Sequence, residues 1–375
     1  MRASYRTVED MLAALRPSYP VFCLRPGELA RTARRFLDQF PGKVLYAVKC
    51  NPHPAVLRAL YGAGVRHFDT ASLTEIALVR EMFDDAVAYY HHPVKGRAAI
   101  GAARRVYGVE CYTVDHEAEL AKVIEETGGG IAVQVRMATP PGYATFDLSR
   151  KFGASPELAA RLLRDVAGAG LEPGLSFHVG SQCINPEAYS EALRLAGRVL
   201  DDSGVAIRTL NVGGGFPAAY TNAEAPPFEC YMEAIEKGAT ALGLPAECEL
   251  MCEPGRALVA GGCSLVVQVH LRKNSQIYVN DGIFGSLSEL KLGDLRLPAR
   301  LVRLTGAAAE ETQSFTVFGP TCDALDVMPG AFHLPADVRE GDWIEIGQVG
   351  AYSNAIATEF NGFRTETFVN IDDGS

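Results

Sequence analysis

The chain has 375 residues, of which 48% are hydrophobic and 21% charged, and its formal net charge at pH 7 is −10. Such a composition is typical of a globular protein that is too long for one ordinary core, so we expect two domains or one barrel with an addition. The acidic balance and the lack of a dense Lys/Arg run disfavour a nucleic-acid or membrane partner. A small cationic substrate is compatible with that charge.

Nine cysteines are scattered along the chain without paired spacing. An odd number in this arrangement indicates reduced thiols in a cytoplasmic protein rather than a disulfide framework. The start of the chain is unlike a secretory signal, and the longest apolar region, Ala257 to Leu271, is too short and interrupted to span a bilayer. No Cys-x-x-Cys or His-x-x-x-His cluster is present, so no metal site is predicted.

Short apolar stretches alternate with helical periodicity from about residue 27 to 256. The predicted strands are Leu45–Lys49, Arg66–Asp69, Ala86–His91, Cys111–Asp115, Ile131–Met137, Gly174–Gly180, Thr209–Gly213 and Glu249–Glu253. The predicted helices are Gly27–Phe40, Pro54–Gly62, Leu73–Phe83, Gly101–Tyr107, Glu117–Glu126, Pro156–Ala169, Ala188–Leu200 and Met232–Leu242. Eight strands alternating with helices predict an α/β fold, a parallel (β/α)8 barrel.

After residue 256 the pattern changes to short alternating runs separated by Gly and Pro. These runs are Leu265–Leu271, Gln276–Val279, Arg300–Leu304, Ser314–Phe318, Trp343–Ile346 and Thr365–Asn370. They predict an antiparallel β domain, to which Val21–Leu24 adds a strand. We therefore expect a barrel over residues 25–260 and a β-sandwich or β-barrel domain built from residues 1–24 and 261–375.

Reactive side chains stand at the carboxyl ends of the predicted barrel strands. In chain order they are Lys49, Asp69, His91, Asp115, Arg136, His178, the glycines at 213–215 and Glu253. The chemistry of such barrels is assembled on this rim. Lys49 ends an apolar run and precedes Asn51-Pro52, and its amine is suited to attack a carbonyl if it faces a cleft. A surface lysine that ends a strand is the alternative interpretation of that residue alone.

Two segments have the character of a phosphate site. Gly213, Gly214 and Gly215 follow a strand, where they either form a plain turn or let backbone N–H groups approach an anion. The Gly-x-Gly-x-x-Gly pattern of dinucleotide sites is absent. Glu253-Pro254-Gly255-Arg256 contains either a buried ion pair or two separate functions. In the second case Arg256 and the Gly255 N–H bind phosphate, and Glu253 pairs with a protonated ring nitrogen.

Other candidates are open to two interpretations each. His178 is either a core histidine or a ring that stacks on an aromatic ligand, with Ser181 donating to a phosphate. Cys322 is either an ordinary buried thiol or a proton donor, beside an Asp323 carboxylate that binds an amine. Tyr352 either closes a phosphate site or fills a core.

As a set, these motifs resemble the fold-type III pyridoxal-phosphate decarboxylases, which act on ornithine, lysine, arginine or diaminopimelate. The resemblance covers nearly the whole chain and is strongest to the ornithine decarboxylases. It is carried by Tyr46–Asn51, Phe68–Ser72, Leu148–Gly153, Phe177–Gln182, Gly213–Pro217, Glu253–Arg256, Val279–Gly282, Gly319–Asp323, Gly350–Tyr352 and Phe360–Phe363.

The resemblance implies a TIM barrel of the alanine-racemase type that binds pyridoxal 5′-phosphate. Lys49 would bond covalently to the cofactor, His178 would stack on its ring and Glu253 would hold the ring nitrogen protonated. The remaining cofactor-binding residues would be Asp69, Arg136, Ser181, Gly214, Gly215, Gly255, Arg256 and Tyr352. Cys322 would return a proton after carbon dioxide leaves, and Asp323 would bind the side-chain amine. Both would come from the partner in a homodimer with shared active sites.

The expected reaction is decarboxylation of a basic L-amino acid, ornithine first and lysine second. One region departs from the ornithine decarboxylase pattern, which has an acidic residue shortly after the segment matching Val279–Gly282. Here Asp294 falls one or two places late, so Asp294 or Glu289 is the candidate for that role. The alternatives are a decarboxylase of an unusual amino acid and, from another class, a non-catalytic homologue that regulates a partner. Intact Lys49 and Cys322 disfavour the regulator.

Overall fold

The computed structural model describes residues 3–140, 142, 144–146 and 151–372. Of the Leu148–Gly153 motif, residues 148–150 therefore lie outside the described part. The strands are β1 Ser4–Tyr5, β2 Val21–Leu24, β3 Lys43–Ala47, β4 His67–Thr70, β5 Val87–Tyr90, β6 Cys111–Val114, β7 Ala132–Arg136, β8 Ala144–Phe146, β9 Glu172–Ser176, β10 Ser181–Cys183, β11 Thr209–Asn211, β12 Glu249–Cys252, β13 Cys263–Lys273, β14 Gln276–Val279, β15 Ala299–Val302, β16 Thr312–Phe318, β17 Phe332–Pro335, β18 Trp343–Ile346 and β19 Thr367–Ile371.

Helices connect and cover these strands. The α-helices are α1 Val8–Leu15, α2 Pro26–Gln39, α3 Pro54–Gly62, α4 Leu73–Met82, α5 Arg97–Tyr107, α6 Glu117–Thr127, α7 Pro156–Gly168, α8 Glu187–Ser203, α9 Phe228–Ala241 and α10 Arg256–Val259. Short 3-10 helices occupy Val48–Cys50, Ala260–Gly262, Ser288–Lys291 and Phe360–Gly362. In the described ranges, none of the helices has the length and apolar character required to cross a membrane.

Eight parallel strands close the predicted barrel, in the order β11-β12-β3-β4-β5-β6-β7-β9. The ring is closed where Met251 of β12 pairs with Lys43 of β3. These strands are continuous apolar runs because the barrel interior covers one face and the helices cover the other. Helix α2, for example, buries Leu29, Ala33 and Phe36. The barrel prediction is confirmed.

Seven of the eight barrel strands end one to four residues earlier than predicted, and the differences at β3 and β9 move Lys49 and His178. β3 ends at Ala47, and the Asn51 N–H closes a 3-10 turn on the Val48 carbonyl, which places Lys49 on a turn beyond the strand. β9 ends at Ser176, so His178 lies in the following turn, where Gly180 takes a φ of 95°. Both side chains thus stand on connections at the carboxyl ends of the strands rather than in them.

The second sheet has nine strands and β13 at its centre. β13 pairs antiparallel with β2, β14 and β18. The antiparallel domain and the contribution of Val21–Leu24 are therefore confirmed, although three pairs of this sheet are parallel: β1–β19, β2–β19 and β14–β16. Val266 of β13 packs in a small core with residues from β2, β18 and β19.

Candidate active site

A cavity of about 360 Å³ opens at the carboxyl ends of the barrel strands. Its lining includes most of the predicted rim and cofactor residues, namely Lys49, Asp69, His91, Arg136, His178, Ser181, Gly215, Glu253, Gly255, Arg256 and Tyr352. Asp115 lies outside the lining, because its carboxylate accepts a hydrogen bond of 2.9 Å from the Gly153 N–H. A separate hollow of about 670 Å³ lies at the amino ends of the same strands.

Lys49 faces this cavity, since its ammonium nitrogen lies 3.6 Å from Oδ2 of buried Asp69. The turn that carries it is anchored by buried Asn51, whose side-chain amide donates to the Gly350 carbonyl at 2.8 Å. The Tyr46 hydroxyl in turn donates to the Asn51 carbonyl at 3.0 Å. Burial and the nearby charge of Glu253 raise the pKa of Asp69, while Lys49 opposes that shift. Lys49 therefore lines the cavity with 43% of its side chain exposed, and its role as the cofactor lysine stays a prediction.

Glu253 follows β12 and is held by Asn211 on the neighbouring strand β11 and by His91, which follows β5 across the barrel. Its Oε1 lies 2.6 Å from Nδ1 of His91 and accepts a hydrogen bond of 2.6 Å from the Asn211 amide. Burial alone would raise the pKa of Glu253, but His91, the Lys49 charge and Asn211 together lower it to about 2. The carboxylate is therefore charged, as it must be to pair with a protonated ring nitrogen.

His178 is an uncharged ring at the cavity wall. Its Nδ1 accepts a hydrogen bond of 3.0 Å from the Gly180 N–H, which leaves the proton on Nε2. Burial, with the positive charges of Arg136 and Lys49, lowers the pKa of His178 to about 3. A neutral imidazole held in one orientation is suited to stack on an aromatic ligand.

Arg256 lies at another side of the cavity among aromatic rings. Its guanidinium carbon stands 5.2 Å from the ring centre of Phe146 and 5.2 Å from that of Tyr352. It donates to the Tyr220 hydroxyl at 2.8 Å and reaches the Ser181 hydroxyl at 3.4 Å. This set of hydroxyl groups around one fixed cation is suited to bind a phosphate.

Arg256 also forms a bidentate ion pair with Glu289, on the 3-10 helix Ser288–Lys291. Glu289 is buried and lines the cavity. The prediction for Asp294 needs correction, because this side chain is 74% exposed, forms an ion pair of 2.9 Å with Arg296 and does not line the cavity. In this chain Glu289 is the acidic residue that the segment brings to the site.

The Glu289→Gln variant is expected to bind inorganic phosphate and pyridoxal phosphate more tightly than the wild type, by roughly tenfold. The reason is that the Glu289 carboxylate competes with an anion for Arg256. Fluorescence titration of the apoprotein measures both affinities. Glu28→Gln, on helix α2, is the matched control. Unchanged or weaker phosphate binding by Glu289→Gln would contradict this competition.

Cys322 and Asp323 stand outside the cavity of their own chain. Cys322 is exposed, and its thiol donates to the Asn361 side-chain oxygen at 3.3 Å. Asp323 accepts a hydrogen bond of 2.8 Å from the Leu325 N–H. One chain alone therefore does not bring this pair to Lys49.

The site also contains groups that the sequence analysis did not assign. Asn211 is the second donor to Glu253, and Tyr220 is a partner of Arg256. Phe146, on β8, lies against Arg256. A polar residue inside the buried run Leu210–Val212 was a signal for Asn211. The two aromatic residues had no comparable local signal.

The space around the glycine loop, residues 213–215, shows whether a planar, phosphorylated ligand can fit. A Cβ on Gly214 would lie 2.5 Å from the Glu253 carbonyl oxygen and 3.1 Å from Nε2 of His178. Gly215 has a φ of 114°, and a Cβ there would lie 2.5 Å from the Gly180 carbonyl. These glycines keep the backbone close to the cavity, where its N–H groups can reach an anion. Together with a facing lysine, a neutral histidine and a charged glutamate, the residues present fit pyridoxal phosphate.

A TIM barrel with these groups on its rim defines a pyridoxal-phosphate enzyme. The chain belongs to the pyridoxal-dependent decarboxylases, because the family model for their pyridoxal binding domain matches residues 26–260. The lysine/ornithine decarboxylase of Selenomonas ruminantium is 35% identical over 329 residues, which cover 85% of this chain and 81% of that protein. Antizyme inhibitor 2 of Xenopus laevis is 33% identical over 367 residues, covering 90% of this chain and 78% of that protein.

The fold comparison agrees. The crystal structure of the Paramecium bursaria Chlorella virus arginine decarboxylase bound to agmatine superimposes with a TM-score of 0.87 at 26% identity, over 97% of this chain and 99% of that chain. The protein is accordingly a carboxy-lyase, and its cofactor is pyridoxal 5′-phosphate.

Proposed function

We propose that the protein decarboxylates a basic L-amino acid, with L-ornithine (to putrescine) as the first candidate substrate and L-lysine (to cadaverine) as the second. The observation that carries this proposal is the adjacency of a thiol and a carboxylate, Cys322 and Asp323, on an exposed segment. A carboxylate is suited to bind the terminal ammonium of such a substrate. The similarity to a lysine/ornithine decarboxylase supports the same substrates and a place in polyamine biosynthesis.

Each residue has a defined part in the proposed reaction. Pyridoxal phosphate, when bound, would supply an acceptor for the electron pair that the departing carbon dioxide leaves on the substrate. Lys49 would hold the cofactor through its side-chain amine until the substrate amine replaces it. Glu253 keeps the ring nitrogen protonated, and neutral His178 supports the ring face. The Cys322 thiol returns a proton to the substrate α-carbon.

We further propose a homodimer in which each cavity receives Cys322 and Asp323 from the partner subunit. Large apolar side chains are exposed near the cavity and on the Cys322 segment. Leu292 is 65% exposed and Ile356 38% exposed, and both line the cavity. Leu325 is 70% exposed, two residues after Asp323. Exposed apolar surface of this kind is typical of a protein interface.

A second candidate is the decarboxylation of an unusual amino acid. The observation that favours it lies at Gly293, one residue before Asp294. A Cβ on Gly293 would lie 2.6 Å from the Phe146 ring, and the Asp294 carboxylate points to Arg296 instead of the cavity. An aromatic ring in this wall favours a substrate with a more apolar side chain than ornithine has.

The third candidate, a regulator without catalysis, is supported only by the similarity to antizyme inhibitor 2. Lys49, Glu253 and Arg256 line one cavity in this chain, which favours an enzyme.

We propose a cytoplasmic location because all nine cysteines are free thiols. The proposed domain boundaries, 25–260 against 1–24 with 261–375, place every strand of the nine-stranded sheet outside the barrel domain.

A screen of carbon dioxide release over ornithine, lysine, arginine, diaminopimelate and their D forms tests the proposal. We expect release from L-ornithine or L-lysine, and a fall in kcat/KM of roughly 100-fold in Asp323→Asn, because one charge-assisted contact is lost. Asp84→Asn, on an exposed turn, is the matched control. If none of these substrates releases carbon dioxide, uncharged and bulky amino acids are added to the screen. Release from one of them would support the second candidate, and no release from any substrate would support the third.

A further inference from the structure

His91 and Asp115 are the two rim residues to which the family resemblance assigns no function, and of these only His91 lines the cavity. It is buried, it lies directly after β5, and its Nδ1 stands 2.6 Å from Oε1 of Glu253. We propose that His91 is a positioning residue, which orients Glu253 so that the other carboxylate oxygen, Oε2, meets the ring nitrogen of the cofactor. This inference rests on the proposed role of Glu253 and is independent of which amino acid is decarboxylated.

The hydrogen bonds to Glu253 are distributed unequally between its two oxygens. His91 and the Asn211 amide both bond to Oε1, each at 2.6 Å, while Oε2 receives no hydrogen bond from residues in the described ranges. Glu253 lines the cavity. A carboxylate with one oxygen fixed by two donors and the other directed to the cavity is pre-oriented for a single additional donor. A protonated ring nitrogen is such a donor.

The side chain of Asn211 is held in place through both its oxygen and its amide nitrogen. Its side-chain oxygen accepts from the Gly213 N–H at 2.9 Å, and its amide also donates to Gln134 at 3.1 Å. This connects Glu253 to the glycine loop that approaches the ligand. His91 is the donor on the opposite strand, so that removing it leaves Glu253 anchored from one side only.

The far side of His91 contacts a thiol. Nε2 lies 3.5 Å from Sγ of Cys111, and the Tyr89 ring stands 5.3 Å from the imidazole. Cys111 and Tyr89 also line the hollow at the amino ends of the strands, while His91 lines the cofactor cavity. Packing on Tyr89 and Cys111 therefore directs Nδ1 toward Glu253.

The charges are consistent with this arrangement. Burial alone would lower the pKa of His91, but hydrogen bonds to Cys111 and Glu253 and the Glu253 charge raise it to about 10. The other charged groups near Glu253 are Lys49, Asp69 and Arg136. The Nδ1 proton is thus present as a donor to Oε1 throughout the neutral pH range.

Cofactor binding to the apoprotein tests the proposal without a substrate. The two ligands are pyridoxal phosphate and its 1-deaza analogue, in which C–H replaces the ring nitrogen. His91→Phe is expected to weaken binding of pyridoxal phosphate about tenfold and to leave the deaza analogue within about twofold, because only the first uses Oε2. His91→Asn, whose amide nitrogen can replace Nδ1, should restore most of the loss. His270→Phe, at an exposed histidine of β13, is the control and should change neither affinity.

His91→Gln keeps a polar side chain and serves if His91→Phe does not fold. Its amide nitrogen reaches the position of Nε2 rather than Nδ1, so the same selective loss is expected. Equal weakening of both ligands, or no weakening of either, would show that His91 has a general packing role and overturn the proposal. Glu253→Gln tests the role of Glu253 separately from that of His91. If this variant does not weaken binding of pyridoxal phosphate more than binding of the deaza analogue, the pairing of Glu253 with the ring nitrogen is wrong.

Discussion

Replacement of Lys49 by alanine is expected to abolish decarboxylation, with a loss of roughly 10⁴-fold or more in kcat, because among the described residues no other lysine lines the cavity to attach the cofactor. Lys49 is the lysine in the described part of the cavity lining, and its ammonium lies 3.6 Å from Asp69. The visible absorption of the lysine-bound cofactor should disappear after dialysis. Carbon dioxide release and the absorption spectrum measure the two effects.

Lys43→Ala is the matched control. Lys43 begins β3, the strand before the Lys49 turn, does not line the cavity and forms an ion pair of 2.6 Å with Glu249. It should retain the cofactor band and the activity of the wild type. A Lys49→Ala protein that kept the band after dialysis would show that the cofactor is attached elsewhere. Normal melting of both variants would exclude unfolding as the cause of the loss.

Mixing two inactive proteins is expected to restore activity if the sites are shared between subunits. Lys49→Ala removes the cofactor lysine, and Cys322→Ala removes the proton donor while sparing cofactor binding. A heterodimer of the two has one site with both residues intact and one with neither. Equal mixing with free exchange gives half heterodimers, and therefore about one quarter of wild-type activity.

Subunit exchange must be demonstrated separately, for instance by energy transfer between labelled chains. Recovery close to the statistical value would support a composite site. No recovery despite proven exchange would contradict it, as would full activity of Cys322→Ala alone. The Cys230→Ala variant, at another exposed cysteine, controls for the loss of a surface thiol.

The barrel and its rim were predictable because both have local signals. Each strand is a short apolar run, and the polar residue that follows it is recognisable in the sequence, as Lys49 and Glu253 are. Strand ends were less predictable, since β3 stops at Ala47 where a 3-10 turn begins. Helix α1 and strand β17 were missed because Val8–Leu15 and Phe332–Pro335 are short segments with weak periodicity.

Pairings between distant segments were not predictable. Glu289 follows Arg256 by 33 positions, and nothing local to either residue indicates their ion pair. Phe146 lies against Arg256 because β8 pairs with β10, a contact that depends on the folded barrel. Motif order was enough to predict the cofactor residues, whereas the other residues that line the cavity wall depend on such long-range contacts.

The pairing of β1 and β2 with β19 has a consequence for the order of folding. β1 and β2 are synthesised before the barrel strands, yet both pair with β19, which is synthesised after them. The barrel is therefore synthesised before the nine-stranded sheet has its strand β19. That sheet, a structure of high contact order, is completed only after the whole barrel has been made. Before β19 is made, one edge of β2 has no partner strand. An unpaired strand edge can pair with another chain, so β2 is a segment of the nascent protein that is prone to aggregation.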